Sequence, residues 1–119
     1  MPRTFDEAAL LERVEQDMEF LRETVDMLGN DGRAFMAEVR RGVDAGDAGT
    51  VSRAAHTLKG MISNFCAADV QASAAVVERM GRDGDLAAGP TAVTELEGQL
   101  EALIAELNDF LGGKSRCES

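Results

Sequence analysis

The chain of 119 residues contains no tryptophan, no tyrosine and only five phenylalanines, so aromatic residues make up 4% of it. Its apolar residues, 45% of the total, are mainly alanine, leucine, valine and methionine, which favour helices packed on helices over a β-sandwich or barrel. Pro2 and Pro90 are the only prolines, so little interrupts long helical segments. The composition therefore predicts one all-α domain with a small core.

Residues that commonly bind metals or cofactors are equally scarce. Cys66 and Cys117 are too few and too far apart for a metal site or a disulfide framework. The single histidine, with no Glu-x-x-His pair, excludes a di-iron bundle, and the chain lacks the strand-turn elbow of a Ser-His-Asp enzyme. No apolar run approaches the ~18 residues of a membrane span, and no signal peptide is recognisable. We therefore expect a cytoplasmic protein with no metal and no cofactor.

Acidic residues outnumber basic ones by 22 to 12, which gives a formal net charge of −10. The chain has no basic stripe that could neutralise phosphates, which argues against nucleic acid and against an anionic membrane as partners. One window differs, because residues 48–68 contain no acidic residue and the two charged residues there, Arg53 and Lys59, are positive. We expect this surface to be free of carboxylates and able to receive an anion.

Apolar spacing and capping residues predict a string of helices with short connections. The five predicted helix starts before the last helix are Asp6, Asp17, Asp31, Asp47 and Asp69. Gly29-Asn30 is predicted to end the second helix, and residues 81–89 are predicted to form a polar loop with its tight turn at Gly84-Asp85. The last helix begins near Pro90 and carries an apolar seam spaced by three and four residues: Val93, Leu96, Leu100, Leu103, Leu107 and Phe110.

This pattern predicts an up-and-down four-helix bundle with one or two additional short N-terminal helices. The bundle is expected to occupy residues 1–111, and residues 112–119 are expected to form a flexible polar tail. The regular seam of the last helix would also suit a homotypic coiled coil, although we expect a monomer.

His56, the only histidine, lies on the helix predicted to follow Asp47. At about 100° per residue, Lys59 and Gly60 share its face and Ser63 lies two turns further on, whereas the apolar residues of this helix lie on the opposite face. His56 is therefore predicted to face solvent. A glycine in mid-helix costs about 1 kcal/mol relative to alanine, so Gly60 indicates the close approach of another molecule.

An exposed imidazole beside an ammonium fits a histidine that accepts a phosphoryl group, with Lys59 neutralising the phosphoryl oxygens. The same residues also fit a plain surface histidine on a helical adaptor, whereas a haem ligand would be buried. Ser52, Arg53 and Ser63 are candidate contacts for a partner, and solvated surface residues otherwise. The chain shows neither Mg²⁺ carboxylates on this surface nor a phosphate-binding loop, so Mg²⁺ would have to come from the partner.

The run from Ala55 to Gly60, Ala-His-Thr-Leu-Lys-Gly, followed by Asn64-Phe65-x-Ala67, closely resembles the signature of histidine-containing phosphotransfer (HPt) domains. The resemblance extends over roughly residues 4–111. It implies a four-helix bundle in which His56 accepts a phosphoryl group from a receiver-domain aspartate and passes it to another receiver. It also implies that Lys59 assists the phosphoryl group and that Gly60 permits receiver docking.

A free-standing phosphocarrier of a multistep two-component phosphorelay is the function that this resemblance implies. Its partners would be the receiver domains of a hybrid histidine kinase and of a response regulator, and it would be a signalling phosphoprotein rather than an enzyme. The alternatives are an adaptor that binds a receiver or kinase without phosphorylation, and the phosphotransfer domain of a chemotaxis-type kinase.

Two positions depart from the family pattern. Cys66 stands where glycine is common, so the turn after the His56 helix is expected to differ or the helix to run further. Met61 stands where a small residue is common, which is expected to alter packing rather than chemistry.

Overall fold

The computed structural model of the chain describes residues 4–15 and 17–116, and the side chains of these residues as far as Gly112. These residues form helices and turns with no strand, as the composition predicts. The helices are α1 (Glu7–Arg13), α2 (Met18–Met27), α3 (Arg33–Ala45), α4 (Ala48–Ile62), α5 (Ala68–Asp83) and α6 (Gly89–Arg116).

Helices α3, α4, α5 and α6 form the four-helix bundle. Each packs on the next along the chain, and α3 packs on α6 to close the bundle. Because the connections are short, neighbouring helices run antiparallel. Helix α2 also packs on α6, and the ring of Phe5 meets that of Phe110 edge to face with centroids 5.8 Å apart. The predicted bundle with additional N-terminal helices is thereby confirmed.

Three of the five predicted helix starts are N-caps. The carboxylates of Asp6, Asp17 and Asp47 accept hydrogen bonds from the backbone N–H groups three residues on, at 3.0, 3.0 and 3.2 Å. Each cap satisfies one of the backbone donors that a helix start leaves without a partner. These local signals therefore place the beginnings of α1, α2 and α4 correctly.

The other two predicted starts, Asp31 and Asp69, are wrong. Asp31 lies in a π-helical turn, Leu28–Gly32, that joins α2 to α3 without a break, so Gly29-Asn30 does not end the helix. Leu28 and Gly32 are both buried, and the wider turn keeps both of them in the core. Asp69 lies in the first turn of α5, because the chain enters this helix through Ala67, which is fully buried.

Helices α5 and α6 are both longer than predicted. Helix α5 continues through Gly81 to Asp83, and Gly84 then takes a left-handed conformation with φ 73°, so the predicted loop shrinks to residues 84–88. Helix α6 continues to Arg116, past the predicted boundary at Leu111. The first part of the predicted polar tail, residues 112–116, is therefore helical, and residues 117–119 lie outside the described residues. The apolar seam of α6 is buried as expected.

The chain after α4 turns through a 3₁₀ segment, Ser63–Phe65, into Cys66, which has φ 56° and ψ 42°. Cys66 thus adopts the left-handed conformation that glycine takes most readily, and its carbonyl accepts a hydrogen bond of 3.0 Å from the backbone N–H of Asp6. The helix therefore does not run further than Phe65, and the longer helix that was one of the two expectations at Cys66 is wrong. Met61 is partly buried and packs against the core.

Candidate functional site

His56 lies in the third turn of α4 with its imidazole pointing out of the bundle. Its side chain is 69% exposed, whereas Val51, Ala55, Leu58 and Ile62 on the same helix are fully buried. The apolar residues of α4 therefore anchor one face in the core and hold the opposite face towards solvent. The ring stands where another molecule can reach it.

Glu78, a residue that the sequence analysis did not select, completes the site from α5. One carboxylate oxygen lies 2.8 Å from Nδ1 of His56, and the other lies 2.7 Å from Nζ of Lys59. Glu78 is only 8% exposed. The expectation of a surface free of carboxylates is therefore wrong, because the packing of α5 on α4 brings in an acidic residue from 22 positions away.

A signal for Glu78 is present in the sequence, although it is weak. On α5 it follows the buried residues Val70, Ala74 and Val77 and lies one turn before Gly81, which is also buried. A charged residue within the buried stripe of a helix needs a partner of opposite charge or several hydrogen bonds. That pattern marks Glu78 as unusual but does not say which residues of another helix it meets.

The charge of Glu78 determines which nitrogen of the neutral imidazole carries the proton. The hydrogen bond from Lys59 holds the pKa of Glu78 below its ordinary value; burial opposes this shift, and the hydrogen bond from His56 adds to it. At neutral pH Glu78 is thus a carboxylate, which can only accept hydrogen bonds. Nδ1 of His56 must then carry the proton, so that in the neutral ring Nε2 is left with a lone pair facing solvent.

Acid unfolding provides a test of this arrangement. Because folding lowers the pKa of Glu78, its contribution to stability is fully present above its unfolded pKa, about 4.3, and is lost as the pH falls through the lower folded pKa. We expect wild type to unfold at higher urea concentration than Glu78→Gln at pH 5.5. The gap between the two midpoints should shrink as the pH is lowered below about 4.3, and a gap that stays constant would contradict the lowered pKa.

The remaining predicted site residues differ in their surroundings. Gly60 is exposed, and a Cβ added there would meet no atom within 4 Å. Ser63 donates a hydrogen bond of 2.6 Å to the carbonyl oxygen of Gly60, and Arg53 is exposed on the same helix. Ser52 is half-buried, and its backbone faces Gly81 of α5. Lys59 and Gly60 therefore adjoin His56, Ser63 and Arg53 flank it, and Ser52 lies where α4 and α5 cross.

Other kinds of site find little support in the described part of the chain. Its residues include no group of three or more histidine, cysteine, aspartate or glutamate side chains placed to hold a metal ion. Among the helices of residues 4–15 and 17–116, none is both long and apolar enough to cross a membrane.

Comparison with known proteins gives two matches. A family model described as Hpt domain matches residues 7–107. Among solved structures, the crystal structure of histidine-containing phosphotransfer protein B (HptB) from Pseudomonas aeruginosa PAO1 aligns with a TM-score of 0.85 at 20% sequence identity, covering 94% of this chain and 97% of that chain. At this identity the structural likeness shows the fold alone. Comparison with curated protein sequences gives no match.

Proposed function

This chain belongs to the Hpt domain family, the histidine phosphotransfer proteins of phosphorelays, and we propose that His56 is the residue on which it carries the phosphoryl group. Members of the family are phosphocarriers rather than enzymes in the ordinary sense, and they interact with receiver domains. The observation that carries the assignment to His56 is the bond of 2.8 Å between its Nδ1 and the buried Glu78, which leaves Nε2 as an exposed nucleophile.

The proposed transfer forms one bond and breaks one. Nε2 of His56 attacks the phosphorus of an aspartyl phosphate on a receiver domain, and the N–P bond forms as the P–O bond breaks. The aspartate leaves as a carboxylate. Nδ1 keeps its proton, so the ring becomes a cation that lies against the Glu78 carboxylate. Transfer to a second receiver is the same reaction in reverse, and the partners determine its direction.

Lys59 and Gly60 support this transfer in different ways. The Lys59 ammonium lies one turn from His56 and can act as a compact point charge on the phosphoryl oxygens. Gly60 is exposed, with open space where a side chain would stand, which lets a receiver approach the ring closely. We assign to Ser63, Ser52 and Arg53 a part in receiver docking, in which the half-buried Ser52 contributes at the edge of the contact.

The partners that we propose are the receiver domains of a hybrid histidine kinase and of a response regulator. Mg²⁺ and its carboxylates would be supplied by the receiver, because phosphoryl transfer needs this charge neutralisation and the described residues of this chain offer no metal cluster. We further propose that the protein acts as a monomer in the cytoplasm, without an ATP site of its own.

The test of this proposal is transfer from a receiver domain charged with acetyl phosphate. We expect the wild-type protein to acquire a label that is stable to base and labile to acid, as a phosphoramidate is. A panel of receivers that bind the protein but never label it would contradict the phosphocarrier role and would instead indicate an adaptor that works by binding alone.

A further inference from the structure

The Glu78 carboxylate bridges the two groups on which the proposed function depends. One oxygen accepts a hydrogen bond from Nδ1 of His56, and the other accepts one from Nζ of Lys59. We propose that Lys59 changes partner when His56 is phosphorylated, leaving Glu78 for the phosphoryl group, and that the Glu78–Lys59 bond thereby sets the equilibrium of phosphoryl transfer. This inference rests on the proposed function and concerns the regulation of the same site.

Before transfer, the charges of the site compensate one another. When the imidazole is in its neutral form, the negative charge of Glu78 is balanced by the ammonium of Lys59 at 2.7 Å. Glu78 is 8% exposed, so water compensates its charge poorly and the bond to Lys59 matters for stability. In this state Lys59 is bonded to Glu78 of α5 and is not available to an incoming phosphoryl group.

Transfer rearranges these charges. The ring becomes a cation with its proton still on Nδ1, directly against Glu78, and the phosphoryl group on Nε2 brings a double negative charge. Glu78 is now balanced by the ring, and the strongest uncompensated charge is the phosphoryl group. Lys59 has a flexible four-carbon stem, and its side chain is 31% exposed, so it can swing from the carboxylate towards the phosphoryl oxygens without disturbing the core.

Lys59 must break its bond to Glu78 when His56 is phosphorylated, and the loss of this bond destabilises the phosphorylated state. A hydrogen bond between charged groups contributes more than a neutral one, and the partial exposure of Lys59 reduces that contribution. We therefore expect the Glu78–Lys59 bond to lower the equilibrium constant for phosphorylation of this chain by about three- to tenfold. Glu78 is in this sense a positioning residue, because it acts through Lys59 and through the ring.

A double-mutant cycle on the transfer equilibrium isolates this effect. Four full-length proteins are compared: wild type, Glu78→Gln, Lys59→Met and the double variant. Each is mixed with one phosphorylated receiver domain, and the ratio of phosphohistidine to phosphoaspartate is measured at equilibrium. In the wild-type and in the Lys59→Met background, Glu78→Gln removes the anion beside the ring, which disfavours the phosphorylated ring. Only in the wild-type background does it also release Lys59.

The expected result is a coupling of defined sign. Glu78→Gln changes the equilibrium constant for phosphorylation of His56 by one factor in the wild-type background and by another in the Lys59→Met background. The first factor should favour phosphohistidine about three- to tenfold more than the second. Equal factors in the two backgrounds, or a coupling of opposite sign, would overturn the partner exchange. A wild-type protein that takes no label from any receiver would instead contradict the proposed function itself, so the two failures are distinguishable.

Two controls separate this effect from damage to the fold. The thermal midpoint of each variant is recorded, since a merely structural role of Glu78 would move the midpoint but not the coupling in the transfer equilibrium. Glu78→Asp serves as a second variant that keeps the charge on a side chain one methylene shorter, which is expected to weaken the bonds to both donors. It should show the same sign of coupling with Lys59→Met as Glu78→Gln does, and the opposite sign would count against the proposal.

Discussion

Replacing His56 with glutamine is expected to abolish phosphoryl acceptance while leaving the bundle folded. The chain has no other histidine, so no second imidazole can take over. The side chain is 69% exposed and contributes little to the core, so we expect the free energy of unfolding to change by about 1 kcal/mol or less. The measurement is radiolabel incorporated from a phosphorylated receiver domain, together with urea unfolding of the same preparations.

Ser63→Ala is the matched control for this variant. Ser63 is the residue directly after α4, about two helical turns from His56, and its hydroxyl donates a hydrogen bond to the carbonyl oxygen of Gly60. Because we assign Ser63 a part in docking and not in accepting the phosphoryl group, we expect Ser63→Ala to take acid-labile label, although at a reduced rate. Label of the same chemical stability on His56→Gln would show that another residue accepts the phosphoryl group, and the assignment of the site would then be wrong.

The second large effect is expected at Gly81, where α5 crosses α4. A Cβ at Gly81 would lie 2.5 Å from the backbone nitrogen of Ser52 and 2.9 Å from the carbonyl oxygen of Ala48. Backbone atoms cannot rotate away, so the two helices must separate. Overpacking of this kind costs about 1–3 kcal/mol, and helix propensity returns at most about 1 kcal/mol.

We therefore expect Gly81→Ala to lower the free energy of unfolding by about 2 kcal/mol, measured by urea denaturation. Since Glu78 lies one turn before Gly81 on α5, separation of the helices should also weaken its bonds to His56 and Lys59. Unchanged or increased stability of Gly81→Ala would contradict the close packing of α4 and α5 that places Glu78.

Gly60→Ala is the informative comparison, because it makes the same chemical change on the facing helix at a position with no atom within 4 Å. Helix propensity alone acts there, so this variant should be more stable than wild type by up to about 1 kcal/mol. Its rate of phosphoryl acceptance from a receiver should nevertheless fall, because the added methyl group lies on the surface that we propose the receiver approaches. The two glycines thus separate a packing role from a docking role.

Sequence reasoning succeeded where the deciding interactions are local. Asp6, Asp17 and Asp47 cap helices through bonds to residues three positions on, and the spacing of apolar residues on α4 is sufficient to orient His56. It failed at Asp31 and Asp69, because burial of Leu28, Gly32 and Ala67 overrides the preference of aspartate for a helix start.

The missing part of the site has the same explanation. Glu78 meets His56 only because α5 packs closely on α4, and the closeness depends on Gly81 having no side chain at the crossing. Neither the register nor the distance between two helices is encoded in a window of sequence around His56. The orientation of His56 could therefore be predicted from the chain alone, whereas the carboxylate that its ring contacts could not.

The most direct test of the account is to determine which imidazole nitrogen carries phosphorus. The protein is prepared with ¹⁵N-labelled histidine, phosphorylated by a charged receiver domain and examined by NMR; with a single histidine in the chain, one ring produces all of the signals. We predict phosphorus coupled to Nε2 and a proton retained on Nδ1, facing Glu78. Phosphorus on Nδ1, or no phosphohistidine under conditions that charge the receiver, would contradict the role proposed for His56.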